Sequence, residues 1–343
     1  MEGETEGETI YYDRHADPAL LRGKRVGIIG YGIQGRAQAL NLRDSGAEVL
    51  VANRKDRYVE RAVKDGFTVH ELDEVARLSD ILFLLIPDQA QKGVYETVVS
   101  QVFRPGGLLV FAHGFALRYG EIVPDGRFDV GLLAPRMPGR QIRGYYKRGD
   151  GVPAFVDVVQ DVSGHALALL LALGHAVGFT RAGMLQVDYR VETELDLFIE
   201  QYLVPTIIKA VRTGFDELVQ RHGYPAVPAL MELYASGEVG EVLMRAAKVG
   251  IGRVFQENAS PTCQFGISRS YADVLPGDQQ ALIARTVERI RSGAFAAALE
   301  REGQSGYPGV EALWRTVNSD PLVHAQERVA SLFKLPADSE DDG

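Results

Sequence analysis

The first half of the chain alternates short apolar runs with longer amphipathic stretches. Apolar runs occupy residues 24–29, 49–52, 81–86, 108–111 and 130–133. The run Ile81-Leu82-Phe83-Leu84-Leu85-Ile86 has no polar position, which predicts a parallel strand buried on both faces. A helical stretch is predicted over 37–45, between the first two strands. Strands that alternate with helices predict an α/β fold with a Rossmann-type, doubly wound parallel sheet. After about residue 184 the pattern changes. Residues 191–212 and 230–248 carry apolar positions at helical spacing, with few strand signals. The expected organisation is a dinucleotide-binding domain over 1–184 and an all-α domain over 185–335. Residues 1–23 read as a polar arm. Residues 336–343, Pro-Ala-Asp-Ser-Glu-Asp-Asp-Gly, read as a disordered acidic tail.

Composition narrows this picture. A length of 343 residues suits two domains, and 46% hydrophobic residues is ordinary for a soluble protein. No apolar run approaches the roughly 20 residues that span a bilayer, so no membrane partner is expected. The start, Met1-Glu2-Gly3-Glu4-Thr5-Glu6, lacks the basic and apolar regions of a secretory signal. The net charge is −9 and no long basic run exists, which argues against nucleic acid. Cys263 is the single cysteine, which suits a cytoplasmic location.

The first chemical motif is Gly30-Tyr31-Gly32-Ile33-Gln34-Gly35. It follows a strand and opens a helix, the context a dinucleotide loop requires. Gly30 allows the turn, Gly32 lets backbone approach a diphosphate, and Gly35 permits close packing of helix on strand. The end of the second strand selects the cofactor. NAD sites place an acid there, whereas this chain reads Asn53-Arg54-Lys55-Asp56-Arg57. Arg54, Lys55 and Arg57 would clasp a 2′-phosphate, so NADPH is expected. The competing readings are a solvated charge run and an Asp56 that serves a ribose.

The second motif is acidic. Glu192, Asp196 and Glu200 are spaced to share one face of a helix. Like charges at that spacing repel. Leu195, Leu197, Phe198 and Ile199 surround them, and buried carboxylates need a cation or a proton. Mg²⁺ suits oxygen donors of this kind. Glu232 lies on a further helical stretch, with Ser236 one turn on and Glu238 pointing elsewhere if that helix is straight. His113, in Phe111-Ala112-His113-Gly114-Phe115, follows a strand at its carboxyl end, where open sheets bind ligands. It would bind cofactor or substrate or relay a proton, and a structural histidine competes with that reading. Pro87-Asp88-Gln89 also ends a strand and is expected to line the cofactor cleft. Ser260 carries no weight by itself.

Together these residues resemble the ketol-acid reductoisomerase family, from about Gly23 to Gly266. The glycine loop with Ala39-Leu40-Asn41-Leu42-Arg43-Asp44-Ser45-Gly46 is similar to the family's cofactor segment. Ala112-His113-Gly114-Phe115 resembles its active-site histidine segment. Gly151-Val152-Pro153-Ala154, Gln160-Asp161-Val162-Ser163-Gly164 and Arg181-Ala182-Gly183 are similar too. The run from Glu192 to Gln201 resembles the family's metal-binding helix. The length is similar to that of the short class, which implies one knotted helical domain per chain and a homodimer or higher homo-oligomer.

The resemblance implies two Mg²⁺ ions, alkyl migration in a 2-hydroxy-2-alkyl-3-keto acid, and reduction by NADPH. It implies that Asp196 bridges the metals, that Glu200 holds one, that Glu232 of a partner subunit reaches the other, and that Ser260 binds substrate. Three positions depart from the family. Ser236 stands at a family glutamate. Arg136, in Ala134-Pro135-Arg136-Met137-Pro138-Gly139-Arg140, stands at a lysine of Ala-Pro-Lys-Gly-Pro-Gly-His. Gln264-Phe265-Gly266 replaces Glu-Tyr-Gly. Arginine does not give up a proton at usable pH. The expected function is an NADPH-dependent enzyme of this type with His113, Arg136, Asp196, Glu200 and Glu232 as catalytic residues. The alternative on the same scaffold is a keto- or imino-acid reductase without alkyl migration. A cofactor-binding pseudoenzyme fits less well, because it needs no acids at Asp196 and Glu200.

Overall fold

The computed structural model describes residues 8–271, 279–318 and 320–333. The acidic tail expected over 336–343 lies outside them. The chain divides into two compact units, with the division between Leu195 and Asp196.

The first unit is a nine-stranded sheet. Its strands are β1 (Ile10–Tyr11), β2 (Arg25–Ile29), β3 (Glu48–Ala52), β4 (Val69–His70), β5 (Ile81–Leu84), β6 (Leu108–Phe111), β7 (Asp129–Pro135), β8 (Ala154–Gln160) and β9 (Met184–Gln186). They lie in the order β1-β9-β8-β7-β6-β5-β2-β3-β4. The six strands from β4 to β7 run parallel. The order reverses at β2, next to β5, which opens the crevice where such sheets bind ligands.

Both faces of these strands are covered, as the unbroken apolar runs predict. Ile81 and Phe83 enter one core cluster with Val26, Ile28, Leu108 and Val110. Leu82 and Leu84 enter the other with Ile29, Leu109 and Phe111.

The sheet is larger than the sequence pattern suggested. β8 pairs antiparallel to β7, and β1 antiparallel to β9. The polar arm therefore supplies an edge strand, with Ile10 opposite Leu185. Polar positions such as Asp157 interrupt β8 and hide its period.

Asp129 ties this addition together. It is fully buried at the start of β7 and accepts from the N–H groups of Val162 (2.7 Å) and Ser163 (2.9 Å) and from the Ser163 hydroxyl (2.6 Å).

The second unit is helical among its described residues. The stretch expected over 191–212 comprises an α-helix (Tyr189–Phe198), a wider π-helical segment (Ile199–Leu203) and a further α-helix (Val204–Asp216). The stretch expected over 230–248 is broken. A helix Ala226–Leu230 passes into a π segment, Met231–Ala235, and Gly237 turns the chain at φ +84° before helix Glu238–Val249. The premise of a straight helix from Glu232 to Glu238 therefore fails. Among the described residues, one buried cluster of this unit joins Phe215, Leu230, Ala235, Ala325 and Val329.

Asp129→Ala would leave two backbone N–H groups and a hydroxyl without their acceptor. At about 1–3 kcal/mol per buried orphan, partly relieved by water, we expect a loss of about 3 kcal/mol in urea denaturation. Asp129→Asn should lose less. A loss below about 1 kcal/mol for the alanine variant would show that Asp129 does not anchor this turn.

Candidate functional site

The glycine loop leaves β2 and enters α1 (Ile33–Asp44), which Gly32 caps. This helix starts earlier than the 37–45 stretch predicted, because the last three residues of the motif form its first turn. Gly30 holds φ +103°, and a Cβ there would strike the Leu85 backbone. A Cβ on Gly35 would overlap the Gly30 carbonyl oxygen, so both positions require glycine. Above Gly32 there is open space, which leaves room for a ligand against the backbone.

Ile33 lies exposed at the helix start. Gln34 turns inward, donating to the Met137 carbonyl (3.2 Å). The Tyr31 ring is buried against Phe67, and its hydroxyl donates to Asp65 (2.9 Å). The cofactor side of Tyr31 is therefore backbone only. Burial and the neighbouring Asp65 push the Tyr31 hydroxyl pKa up. Burial raises the Asp65 pKa, but hydrogen bonds from Arg36 and Tyr31 outweigh it and hold the carboxyl below its ordinary value.

At the end of β3, Asn53 accepts from the Tyr31 N–H (2.9 Å) and donates to Asp56 (2.9 Å). Asp56 caps α2 (Arg57–Lys64) through the Tyr58 N–H (2.9 Å) and pairs with Arg54 (2.8 Å). The Arg54 hydrogen bond is the main reason its carboxyl lies below the usual range. Asp56 thus has a structural task that is local to the loop. Lys55 is exposed, and Arg57 stacks on the Tyr58 ring at 5.0 Å.

Two segments at the carboxyl edge of the sheet come together. Pro87 opens the helix Asp88–Val94, with Gln89 exposed on it. His113, after β6, places Nδ1 3.3 Å from an Asp88 carboxylate oxygen.

The neighbouring Gly114 N–H donates to Glu192 (3.1 Å). The other Glu192 oxygen accepts from Arg136 (2.8 Å), at the end of β7. Glu192 is 0% exposed. Arg136 also lies over the Phe155 ring at 4.9 Å. A Cβ on Gly114 would overlap the Thr193 hydroxyl, so the acidic helix packs directly on this turn. Arg118 pairs with Glu194 one residue beyond (2.9 Å). Asp157 on β8 accepts from the Tyr189 N–H (2.8 Å) and fixes the start of that helix. Burial pushes the Asp157 carboxyl pKa up.

These contacts change the reading of the acidic stripe. Its three members do not share one environment. Glu192 is buried and answered by Arg136, Asp196 is half-buried, and Glu200 is exposed. Leu197 is buried, but Leu195 and Ile199 are 51% and 46% exposed. Apolar neighbours therefore do not enclose Asp196 and Glu200 within one chain.

Glu200 is the second residue of the π segment Ile199–Leu203, and Glu232 is the second residue of Met231–Ala235. Wide turns of this kind recur at functional sites. Among the described residues, no three acidic, histidine or cysteine side chains gather as a metal cluster. Ser236 is exposed, and so is Ser260, whose hydroxyl caps the helix Pro261–Ser270 through the Cys263 N–H (3.2 Å).

The partnership of Glu192 with Arg136 was not visible in the sequence, because 56 positions separate them. The one available signal was a glutamate one turn before Asp196.

A family model described as the acetohydroxy acid isomeroreductase NADPH-binding domain matches residues 20–183. A second, described as the ketol-acid reductoisomerase C-terminal domain, matches residues 189–335. The chain is 35% identical over 329 residues to a ketol-acid reductoisomerase (NADP(+)) of Pyrobaculum aerophilum, covering 95% of this chain and 99% of that protein. An NADH-preferring ketol-acid reductoisomerase from an uncultured archean superposes with a TM-score of 0.89 at 31% identity, over 95% of this chain and 99% of that one. A semialdehyde dehydrogenase NAD-binding protein from Cupriavidus necator shares the fold, with a TM-score of 0.59 at 17% identity over 78% of this chain and 99% of that one.

Removing the Glu192 carboxylate would take an acceptor from the half-buried Arg136 and from the buried Gly114 N–H. Breaking a buried pair from one side costs about 3–5 kcal/mol, and we expect a loss in that range for Glu192→Ala by chemical denaturation. Glu192→Gln keeps an acceptor for Gly114 and should lose clearly less. Equal losses in both variants would show that charge is not what this pair contributes.

Proposed function

The chain belongs to the ketol-acid reductoisomerase family and is an NAD(P)-dependent oxidoreductase; we propose that it uses NADPH and Mg²⁺ on a small 2-hydroxy-3-keto or 2-keto acid. One observation carries the reading. A dinucleotide cradle with glycine required at Gly30 and Gly35 stands in a chain matched to this family along nearly its whole length. The cradle suits a dinucleotide on physical grounds, since open space over Gly32 adjoins the free N–H groups of α1.

Relatives of similar identity differ in cofactor, so the preference rests on this chain's own residues. No acid faces a 2′-phosphate from position 53, and Arg54 offsets the charge of Asp56. Arg57 and Lys55 remain as cations at the loop. We expect tighter binding of NADPH than NADH by fluorescence titration, and loss of the preference in Arg54→Ala/Arg57→Ala. Equal affinities in the natural protein would sink this reading.

NADPH, when bound, supplies the hydride. Asp196 and Glu200 would hold Mg²⁺ with Glu232 of a second subunit, and the metal when bound polarises substrate oxygens. The donors fit in type, being hard carboxylate oxygens on exposed or half-exposed positions. Ser260 would meet the substrate carboxylate.

Asp88 orients His113 through Nδ1 and favours a proton there. Arg136 is suited to stabilise negative charge, since a guanidinium is not a proton donor. Glu192 holds Arg136 in place.

Assembly follows from the same acids. The helical run exposes Ile199, Leu203, Val204 and Ile207, and further helices of the unit expose Leu243, Met244, Ile251 and Phe255. So much exposed apolar surface favours burial against a second copy. We expect a dimer in sedimentation. Mixing inactive Asp196→Ala with inactive Glu232→Ala should restore part of the activity through hybrid sites. A stable, active monomer would refute the assembly.

Ser236 favours a narrower activity on the same scaffold. It offers a neutral hydroxyl at a family carboxylate, so the donor set is one charge poorer. Alkyl migration needs two substrate oxygens polarised together, whereas hydride delivery needs charge on one developing alkoxide. NADPH oxidation should therefore be slow with acetolactate and faster with 3-hydroxy-3-methyl-2-oxobutanoate. Ser236→Glu should raise Mg²⁺ affinity. Rapid turnover of acetolactate by the natural protein would show that this carboxylate is dispensable.

A further inference from the structure

Gln91 stands behind the pair that Asp88 makes with His113. It lies one turn into the helix Asp88–Val94 and is 4% exposed. Its Nε2 donates to the Ile86 carbonyl (3.1 Å) and to Asp88 Oδ1 (3.1 Å). The other Asp88 oxygen, Oδ2, meets His113 Nδ1 at 3.3 Å. Three side chains thus form a line from the interior to the histidine, with one Asp88 oxygen for each neighbour.

Chemistry fixes the direction of the Gln91 amide. A carbonyl and a carboxylate only accept, so each takes one hydrogen of Nε2, and the reverse orientation would set oxygen against oxygen. Oε1 is buried, and no group among the described residues donates to it. With half of its polarity unmet, the amide adds little stability that an apolar side chain of equal length would not add. What the amide alone supplies is a fixed donor on Asp88 Oδ1.

We propose that Gln91 is a positioning residue for the reaction: it holds the Asp88 carboxylate with one oxygen turned to His113, and so keeps the imidazole proton on Nδ1. The proposal rests on the reading of Asp88 and His113 given above and adds the group that decides how Asp88 faces. A carboxylate conceals this control, because its two oxygens are alike. An amide at position 88 exposes it. In Asp88→Asn, Gln91 would claim the one remaining oxygen. The new NH2 would then face His113 Nδ1, which must accept, and the proton would move to Nε2. Adding Gln91→Met releases that orientation, so the amide turns over and its oxygen again receives Nδ1–H. A second lesion would then relieve the first, which a purely structural role for Gln91 does not produce.

The test uses the full chain, with Asp88→Asn, Gln91→Met and the double variant, each checked for folding by circular dichroism. Long-range ¹H–¹⁵N correlation in histidine-labelled protein, at a pH where the ring is neutral, reads the His113 tautomer without cofactor or substrate. The expected result is Nδ1–H in the natural protein, Nε2–H in Asp88→Asn and Nδ1–H again in the double variant. In reduction of 3-hydroxy-3-methyl-2-oxobutanoate by NADPH, kcat should fall about tenfold or more in Asp88→Asn and rise again about threefold or more in the double variant. A double variant that keeps Nε2–H, or that is no more active than Asp88→Asn, overturns the proposal, as does Nε2–H in the natural protein. Should Asp88→Asn not fold, Gln91→Met decides: kcat falls about threefold or more while KM for NADPH stays within about twofold, and an unchanged kcat refutes the role. A natural protein that reduces no keto acid refutes the functional reading and leaves Gln91 to the tautomer result.

Discussion

The organisation of the first unit depends on one buried charge. Glu192 enters the interior at the carboxyl edge of the sheet, where an isolated carboxylate would be costly. Two donors from different strands make it tolerable: the Gly114 N–H after β6 and the Arg136 guanidinium after β7. The pair therefore fixes three segments against one another, the histidine turn, the end of β7 and the start of the acidic helix. Gly114 allows the helix to come close enough, and Arg118 with Glu194 repeats the tie one step out. Replacing such a pair with apolar side chains could be neutral for stability. What apolar side chains would not reproduce is the orientation of Arg136, which the Glu192 carboxylate and the Phe155 ring share in setting.

The same pair explains where the units divide. A boundary after residue 184 follows from the change of periodicity. The contacts of Glu192 and Glu194 instead hold the first turns of the acidic helix to the sheet, and the division falls between Leu195 and Asp196. The parallel strands and the glycine loop were legible because their signals are local: unbroken apolar runs and glycines at fixed spacing. β1 and β9 were not, since two- and three-residue edge strands have no period to detect. The π segments at Glu200 and Glu232 were hidden for another reason. They keep helical apolar spacing and differ only in which carbonyl each N–H reaches. The helical setting of Asp196, Glu200 and Glu232 was thus readable, while their environments were not.

Charge is distributed unevenly between the two chemistries. The chain is acidic overall, yet basic side chains outnumber acidic ones along a groove of α1, α2 and the helix Gly139–Lys147, beside the glycine loop. A net charge of −9 would by itself discourage a phosphorylated ligand, and local arrangement reverses that. The helix starts at Ile33, Arg57 and Gly139 contribute because backbone N–H groups keep their direction whatever the side chains do. The loop at Asn53 shows the complementary economy of acids. Asp56 has its charge offset by Arg54 and its oxygens engaged by Asn53 and the Tyr58 N–H, so it does not oppose an anion. Counting acids and bases along residues 53–57 gives a less favourable picture than the hydrogen bonds do.

Asp196, Glu200 and Glu232 follow the opposite logic. Glu192 is buried against Arg136, whereas Glu200 and Glu232 are exposed and lie on helices that also present bare apolar side chains. Water can solvate a carboxylate cheaply, whereas exposed Leu195, Ile199 and Ile207 cannot be satisfied that way. Burying those apolar groups against a second copy would draw the neighbouring acids into a medium of lower dielectric. There the carboxylates would need a cation. Under the proposed assembly the hydrophobic and electrostatic terms would be coupled: association would create the demand for a metal, and the metal would remove the charge penalty on association. Within such a scheme Ser236 has a direct consequence. It lowers the number of charges to be neutralised, which eases association without the metal and weakens the pull on it.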